Sequence, residues 1–202
     1  MWIPLDSINT KEQHGGLAIA IPCYSYFFTT KNTMKISRIA VYQVTLPLEH
    51  PYRLSGGRLY FDKLDSTIIA IDTDKGIRGW GEGCPWGSTY LSAFSRGIRA
   101  GIEELAPQLI GLDPRRIDLI YRTMDIALPG HPYIKSALDM ACWDILGKAT
   151  KLPLCELFGG RIDQAITIQN SVPTGTPEEM IESIKRGQAK GETVHTCKIG
   201  AD

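Results

Sequence analysis

The sequence predicts an α+β layer followed by the opening of an α/β fold, and three observations predict it. Apolar residues alternate with a period of two in three early stretches, which is the mark of half-buried strands. They then recur at spacings of three and four from Leu91 to Lys148, which is the mark of amphipathic helices. After Gly159-Gly160 a strand, a helix and a strand follow one another through short loops, a βαβ order that implies parallel pairing.

The first strand covers residues 39–46, where Ala40, Tyr42, Val44 and Leu46 alternate with Ile39, Val41, Gln43 and Thr45 before Pro47 stops the run. A loop bearing Gly and Tyr follows (Pro51-Tyr52-Arg53-Leu54-Ser55-Gly56-Gly57). Residues 66–73 form a second strand, Asp74-Lys75-Gly76 the turn, and residues 77–82 a third, giving an antiparallel meander of three strands. Leu91, Phe94, Ile98, Ile102, Leu105 and Leu109 share a helix face, and Pro107 is expected to end that helix near Ala106. Asp113-Pro114 opens a second helix with Ile117, Ile120, Tyr121 and Met124 on one face. Pro129-Gly130-His131-Pro132 breaks the chain. A third helix then carries Ile134, Leu138, Ala141 and Ile145 and ends near Lys148. Residues 165–172 read as a buried strand. Thr176-Pro177-Glu178-Glu179 is a capping box that starts a helix running to about Lys190, with Gly191 at its C′ position. Residues 193–199 form the last strand.

Composition bounds what such a chain does. Twenty-two Lys+Arg balance 22 Asp+Glu in 202 residues, and no basic stripe breaks the balance, so there is no electrostatic case for nucleic acid. No apolar run reaches the length of about 18 residues that a membrane helix needs. The five cysteines (Cys23, Cys84, Cys142, Cys155, Cys197) form no CxxC pair, which favours reduced thiols and a cytoplasmic setting over a disulfide framework or zinc ribbon. Residues 1–33 read differently from the rest. Leu17 to Ile21 is apolar and Tyr24 to Phe28 aromatic, but basic residues and a small-residue cleavage site are wanting, so this stretch reads as a disordered or artefactual extension rather than a signal peptide. Regular structure is expected from Met34.

The segment Ile134-Lys-Ser-Ala-Leu-Asp139-Met-Ala141-Cys-Trp143-Asp144-Ile-Leu-Gly147-Lys148, followed by Leu152-Pro153-Leu154 and Glu156-Leu157-Phe158-Gly159-Gly160, resembles the signature of the mandelate racemase/muconate lactonizing group of the enolase superfamily. Cys142 departs from it, standing where Ala or Leu is usual. Gly79-Trp80-Gly81-Glu82 and Lys198-Ile199-Gly200 are also similar to the group. Pro51-Tyr52-Arg53, Gly83-Cys84-Pro85 and Gly130-His131-Pro132-Tyr133-Ile134-Lys135-Ser136 look most like the members that handle proline betaines and hydroxyprolines.

The resemblance implies an N-terminal capping domain over residues 34–160 and the first βαβ part of a (β/α)₇β barrel over 161–202. It implies Mg²⁺, held by acidic side chains of later barrel strands. Those ligands are expected downstream of Asp202, and none is expected within this chain. It also implies a small-molecule carboxylate substrate, whose α-proton is removed to form an enediolate, and a homo-oligomer at full length. A Lys or His base working with Mg²⁺ is the chemistry by which such sites stabilise the enediolate.

The residues themselves point to particular roles. Alternation puts Val194, Thr196 and Lys198 on one strand face, and reactive groups of barrels sit at C-terminal strand ends, so Lys198 is the candidate acid/base. Burial beside a metal would lower its pKa toward neutrality. By resemblance Lys198 matches the second lysine of a Lys-x-Lys motif, with Thr196 in place of the first. Two loops, residues 52–60 and 84–90, are expected to lie over the barrel mouth as mobile lids. Leu54, Trp86, Tyr90 and Thr196 are the candidate substrate contacts, the aromatics suiting a quaternary ammonium. Asp139, Trp143 and Asp144 read as structural, holding their helix against the barrel. His195 and Cys197 read as packing toward outer helices, and His131 as ordering a turn. Racemisation, epimerisation and dehydration all remain open. So do sugar-acid dehydration, muconate cycloisomerisation and dipeptide epimerisation in place of a proline-derived substrate. A barrel takes about 250 residues, so the 202-residue chain alone is also readable as a catalytically incompetent cap with a barrel stub.

Overall fold

The structure is a computed structural model and describes residues 33–198. The extension read over residues 1–33 falls, but for Thr33, outside the described residues. So do Ile199, Gly200 and Asp202, and with Asp202 the expectation that the metal ligands follow it. None of the described helices is long and apolar enough to cross a membrane.

Three strands form an antiparallel sheet in the order β1-β2-β3: β1 Ile36–Leu54, β2 Leu59–Thr73 and β3 Arg78–Gly83. Here β1 does not stop at Pro47. It continues, through a register irregularity between Pro47 and Tyr52, to pair Tyr52, Arg53 and Leu54 with Phe61, Tyr60 and Leu59. Pro47 is tolerated because β1 lies at the sheet edge, where a missing N–H need not break a ladder. The stretch expected to be a loop is thus the tip of a long hairpin, closed by a 3₁₀ turn at Ser55–Gly57.

The helices α1 Ser95–Leu109, α2 Ile117–Ala127 and α3 Pro132–Thr150 cover one face of this sheet. Helix α1 starts four residues later than the apolar register, because the Ser95 hydroxyl is held on the Asp65 carbonyl at 2.7 Å; Leu91 is left outside the helix and exposed. It also passes through Pro107 into its last turn, where Leu105 and Leu109 are fully buried. A proline there forfeits one ladder bond near the helix end, and two buried leucines offset that cost. Helix α2 starts at Ile117 rather than at Asp113-Pro114, whose carboxylate accepts the Arg115 backbone N–H at 3.0 Å in a tight turn. Tyr121 is exposed, while its neighbours Ile120 and Met124 are buried. In α3, Ile134, Leu138, Ala141 and Ile145 all enter the core.

The glycines of β3 set how closely α3 approaches. Gly79, Gly81 and Gly83 occupy the buried face and Trp80 and Glu82 the outer one. A Cβ at Gly81 would land on the Ala137 carbonyl oxygen and one at Gly79 on that of Ala141. Only glycine lets the strand lie directly on the helix backbone.

A short helix α4 (Leu154–Leu157) leads to the βαβ unit: β4 Gln169–Val172, α5 Pro177–Ala189 and β5 Val194–Cys197, with β4 and β5 parallel. The capping box forms as the sequence predicts. Thr176 accepts the Glu179 N–H, and Glu179 accepts the Thr176 N–H. Gly191 adopts φ +83° after the helix. The strand expected over 165–172 shrinks to four residues. Ile166 and Ile168 are 88% and 71% exposed, since β5 alone lies alongside and reaches only Gln169 to Val172. Alternation registers apolar character but not whether a partner strand is there to cover it.

Candidate active site

The hairpin tip, the loop after β3 and the ends of β4 and β5 meet around a cavity of about 370 Å³ lined by Tyr52, Leu54, Trp86, Tyr90, Ser171 and Lys198. Each element delivers its side chain for a local reason. Tyr52 and Leu54 are two apart on a strand, so both point to one face. The loop after β3 turns at Gly87 (φ +71°), with its N–H on the Pro85 carbonyl at 2.8 Å, and packs Trp86 on the hairpin. The Trp86 ring meets Tyr52 edge-on, centroids 5.4 Å apart, and Phe61 tilted, at 5.2 Å. Among the described residues its Nε1 is buried without a hydrogen-bond partner.

Lys198 follows the last residue of β5, and its backbone N–H donates to the Val172 carbonyl at 3.1 Å, so the parallel ladder holds it at the strand end. Ser171 pairs with Thr196, which alternation puts on the Lys198 face. The Ser171 hydroxyl lies 2.9 Å from that of Tyr52.

Four of the five residues singled out from the sequence therefore share one cavity: Leu54, Trp86, Tyr90 and Lys198. Thr196 is half-buried on β5 and is not among the lining residues. Ser171 lines the site although no motif singles it out, and Tyr52, matched as part of Pro51-Tyr52-Arg53, lines it although the sequence reading gave it no role in the site. The signal for Tyr52 is its i, i+2 relation to Leu54, hidden when the strand is expected to stop at Pro47. The signal for Ser171 is its place level with Thr196 in a parallel pair. Residues 52–60 do not form a free loop but a paired hairpin end, which corrects the expectation of a loop there.

The chemistry the cavity offers is one lysine side chain, three hydroxyls and an aromatic wall. A lysine side chain can pair with an anion or exchange a proton, and aromatic rings can pack on an apolar or cationic group. Among the described residues no group of three or more His, Cys, Asp and Glu is placed to hold a metal ion, so these residues do not fit a Mg²⁺ site and no step is derived through one.

The signature residues of α3 lie elsewhere and hold the cap together. Asp144 accepts the Trp80 backbone N–H at 2.9 Å and the Lys148 ammonium at 2.6 Å, and Lys148 also donates to the Arg78 carbonyl at 2.8 Å. These bonds tie α3 to β3, with Asp144 capping the backbone of its neighbour. Trp143 packs on Phe158 in a tilted pair, centroids 4.6 Å apart. Burial pushes the Asp139 carboxyl up, partly countered by a hydrogen bond with Trp143. Burial likewise pushes up the Cys84 thiol and raises that of Cys142 to about 12. His131 sits at φ +51° as the N-cap of α3. His195 is half-buried, its Nδ1 3.2 Å from Asn170 Nδ2, which also donates to Ser183 of α5. Cys197 is exposed rather than packed, because no described helix covers that end of β5.

Residues 36–159 match the family model described as mandelate racemase / muconate lactonizing enzyme, N-terminal domain. The chain is 46% identical over 170 residues to cis-3-hydroxy-L-proline dehydratase of Roseibium aggregatum, covering 84% of this chain and 46% of that protein. It is 32% identical over 169 residues to N-succinyl-L-Arg/Lys racemase of Bacillus cereus, covering 84% and 45%. The crystal structure of an enolase-superfamily member from Roseovarius nubinhibens complexed with magnesium superposes with a TM-score of 0.75 at 52% identity, covering 83% of this chain and 45% of that one. The chain thus spans about half the length of these relatives. With the signature helix, the glycine-spaced β3 and the antiparallel-to-parallel change of sheet all in place, the chain belongs to the mandelate racemase/muconate lactonizing enzyme family of the enolase superfamily, of which it carries the capping domain and the first strands of the barrel.

Proposed function

We propose that this chain is the N-terminal part of an enzyme that removes the α-proton of a small ring carboxylate, with Lys198 as one acid/base group and a hydroxyproline or proline betaine as substrate. The observation that carries the reading is the cavity itself. It gathers Lys198 at a strand end and Leu54, Trp86 and Tyr90 from the cap around one volume, although these residues are far apart in the chain. The similarity to a cis-3-hydroxy-L-proline dehydratase favours dehydration over racemisation.

In that reaction the Lys198 amine takes the proton from the α-carbon of the substrate. The electron pair left behind forms the C2–C3 double bond as the 3-hydroxyl leaves as water, its extra proton given by a second acid/base group proposed for later barrel strands. The cap residues enclose the ring, exclude water and, through the Tyr90 and Trp86 rings, favour a positively charged ring nitrogen. Mg²⁺ is proposed for the full-length protein, with ligands outside the described residues, on barrel strands beyond Asp202. A chain continued through the whole barrel, given cis-3-hydroxy-L-proline with Mg²⁺ in D₂O, is expected to form the dehydrated product, followed by NMR. Slow α-deuteration of proline betaine without elimination would favour the epimerase reading instead, and neither reaction with any small carboxylate would refute both.

A second reading is that the 202-residue chain by itself is catalytically silent. The lack of a metal-holding cluster among the described residues favours it. Calorimetric titration with Mg²⁺ tests this: no binding is expected, and a tight single site would overturn it.

A further inference from the structure

One contact in the cavity is not used by the chemistry proposed above. The Tyr52 hydroxyl and Ser171 Oγ lie 2.9 Å apart and join the hairpin tip of the cap to β4, across 119 residues of sequence. Nearby, the Thr174 hydroxyl donates to the Arg53 carbonyl at 3.4 Å, a longer tie between the same two segments. The tip is weakly coupled to its own sheet. Regular pairing breaks between Pro47 and Tyr52, and only Tyr52, Arg53 and Leu54 resume it before the turn. A strand end beyond such an interruption opens more readily than the ladder behind it. What Tyr52 touches therefore decides where the tip sits. Its ring is the edge-on support of Trp86, and Trp86 walls the cavity that holds Lys198.

We infer that the Tyr52–Ser171 hydroxyl pair is a latch that seats the hairpin tip on the barrel strand and so positions Trp86 over the site, making Tyr52 and Ser171 positioning residues for substrate binding. Two hydroxyls carry two hydrogens, one of which is spent between them, so removing either oxygen breaks the whole contact. The buried, unpartnered Nε1 of Trp86 works against the latched state, since unlatching returns that N–H to water. The unpaired N–H offsets part of what the latch contributes, so the loss of one hydrogen bond is expected to be visible in the opening of the tip. The kinetic part of the inference rests on the acid/base reading of Lys198; the structural part does not.

Amide hydrogen exchange on the 202-residue chain tests the latch without substrate. Tyr52→Phe and Ser171→Ala are each expected to speed exchange at residues 59–61 by about 2- to 10-fold, the range of one net hydrogen bond. The double variant is expected to go no faster than either single one, because both remove the same contact. Ser171→Thr, which keeps a hydroxyl, is expected to exchange at the wild-type rate, and α3 amides to be unchanged in all four. Additive effects, or no change at 59–61, overturn the latch. In the chain continued through the barrel, the same variants are expected to raise KM by a similar factor with kcat held, whereas a fall in kcat at constant KM would mean that the pair acts on the chemistry and not on positioning. If no wild-type turnover is seen, the Lys198 reading fails and the exchange cycle still decides the latch.

Discussion

Cys142 and Cys197 show at the scale of single residues how environment, not residue type, sets reactivity. Cys142 lies wholly inside the α3 core, and burial raises its thiol to about 12, so almost no thiolate exists near neutral pH. Cys197 is exposed at the end of β5. Alkylation with iodoacetamide at pH 8, read by peptide mass spectrometry, is expected to label Cys197 in the native chain and Cys142 only after denaturation. Equal labelling of both would show the core open. The place of Lys198 at the end of β5 was legible in the sequence because strand alternation and a strand-end position are local properties, while its acid/base role is a proposal that came from the motif resemblance. The Tyr52–Ser171 contact was not legible, even though Tyr52 lies in a matched motif, since it joins segments that no local pattern connects. Cys142, a departure from the usual Ala or Leu of the signature, is accommodated because a thiol packs as a small apolar group.

Elements carry the information at the next scale. The three-stranded meander, the core face of α3 and the capping box of α5 were all readable, since each depends on period or on a short cap motif. Element ends were less so. Pro47 and Pro107 are ordinarily terminators, yet an edge position excuses the first and a final helical turn the second. The Gly79-Trp80-Gly81-Glu82 motif gains a physical account: glycine alternates so that α3 can rest on the strand backbone. Gly81→Ala is therefore expected to force β3 and α3 apart, at a cost of about 1–3 kcal/mol or more. Urea denaturation measures it, and a variant as stable as wild type would contradict the close approach. Gly76→Ala is a different case, because the space around Gly76 is open and only its φ of +76° resists substitution.

At the scale of the whole molecule, ion pairs link the layers and set the response to acid. The Arg99 guanidinium of α1 grips Asp65 of β2 with two hydrogen bonds, of 3.0 and 2.9 Å, and holds that carboxyl below its ordinary 3.8; Arg78 does the same to Asp72. A carboxyl depressed on folding contributes stability that is present above 3.8 and is lost as pH falls through its folded value. Asp139 has the opposite sign: its raised folded value means that ionisation above 3.8 works against the fold. Urea midpoints are accordingly expected to fall steeply below pH 3.8, less so in Arg99→Met, and Asp139→Asn is expected to gain stability at neutral pH relative to acid. A midpoint that rises with acidification below 3.8 would contradict these assignments.

The exposed isoleucines before β4 are the molecule's other large-scale feature. Ile162, Ile166 and Ile168 stand out on a segment that only a further strand or helix would cover, so this chain is expected to associate at rising concentration, as seen by light scattering. Ile166→Lys is expected to reduce that association, and an unchanged monomer in both would count against an open barrel face. This was only half legible: the apolar run was plain, but whether it is covered depends on neighbouring strands that a local pattern does not register.

The central claim is that Lys198, held at a strand end beneath the cap, moves the α-proton of the substrate. The direct measurement is α-proton exchange in D₂O by a chain continued through the barrel, comparing wild type with Lys198→Ala. Loss of exchange by about a hundredfold or more, the scale of a positioned general base, with the fold and the Tyr52–Ser171 exchange pattern intact, is the expected result. Exchange in Lys198→Ala as fast as in wild type would contradict the account.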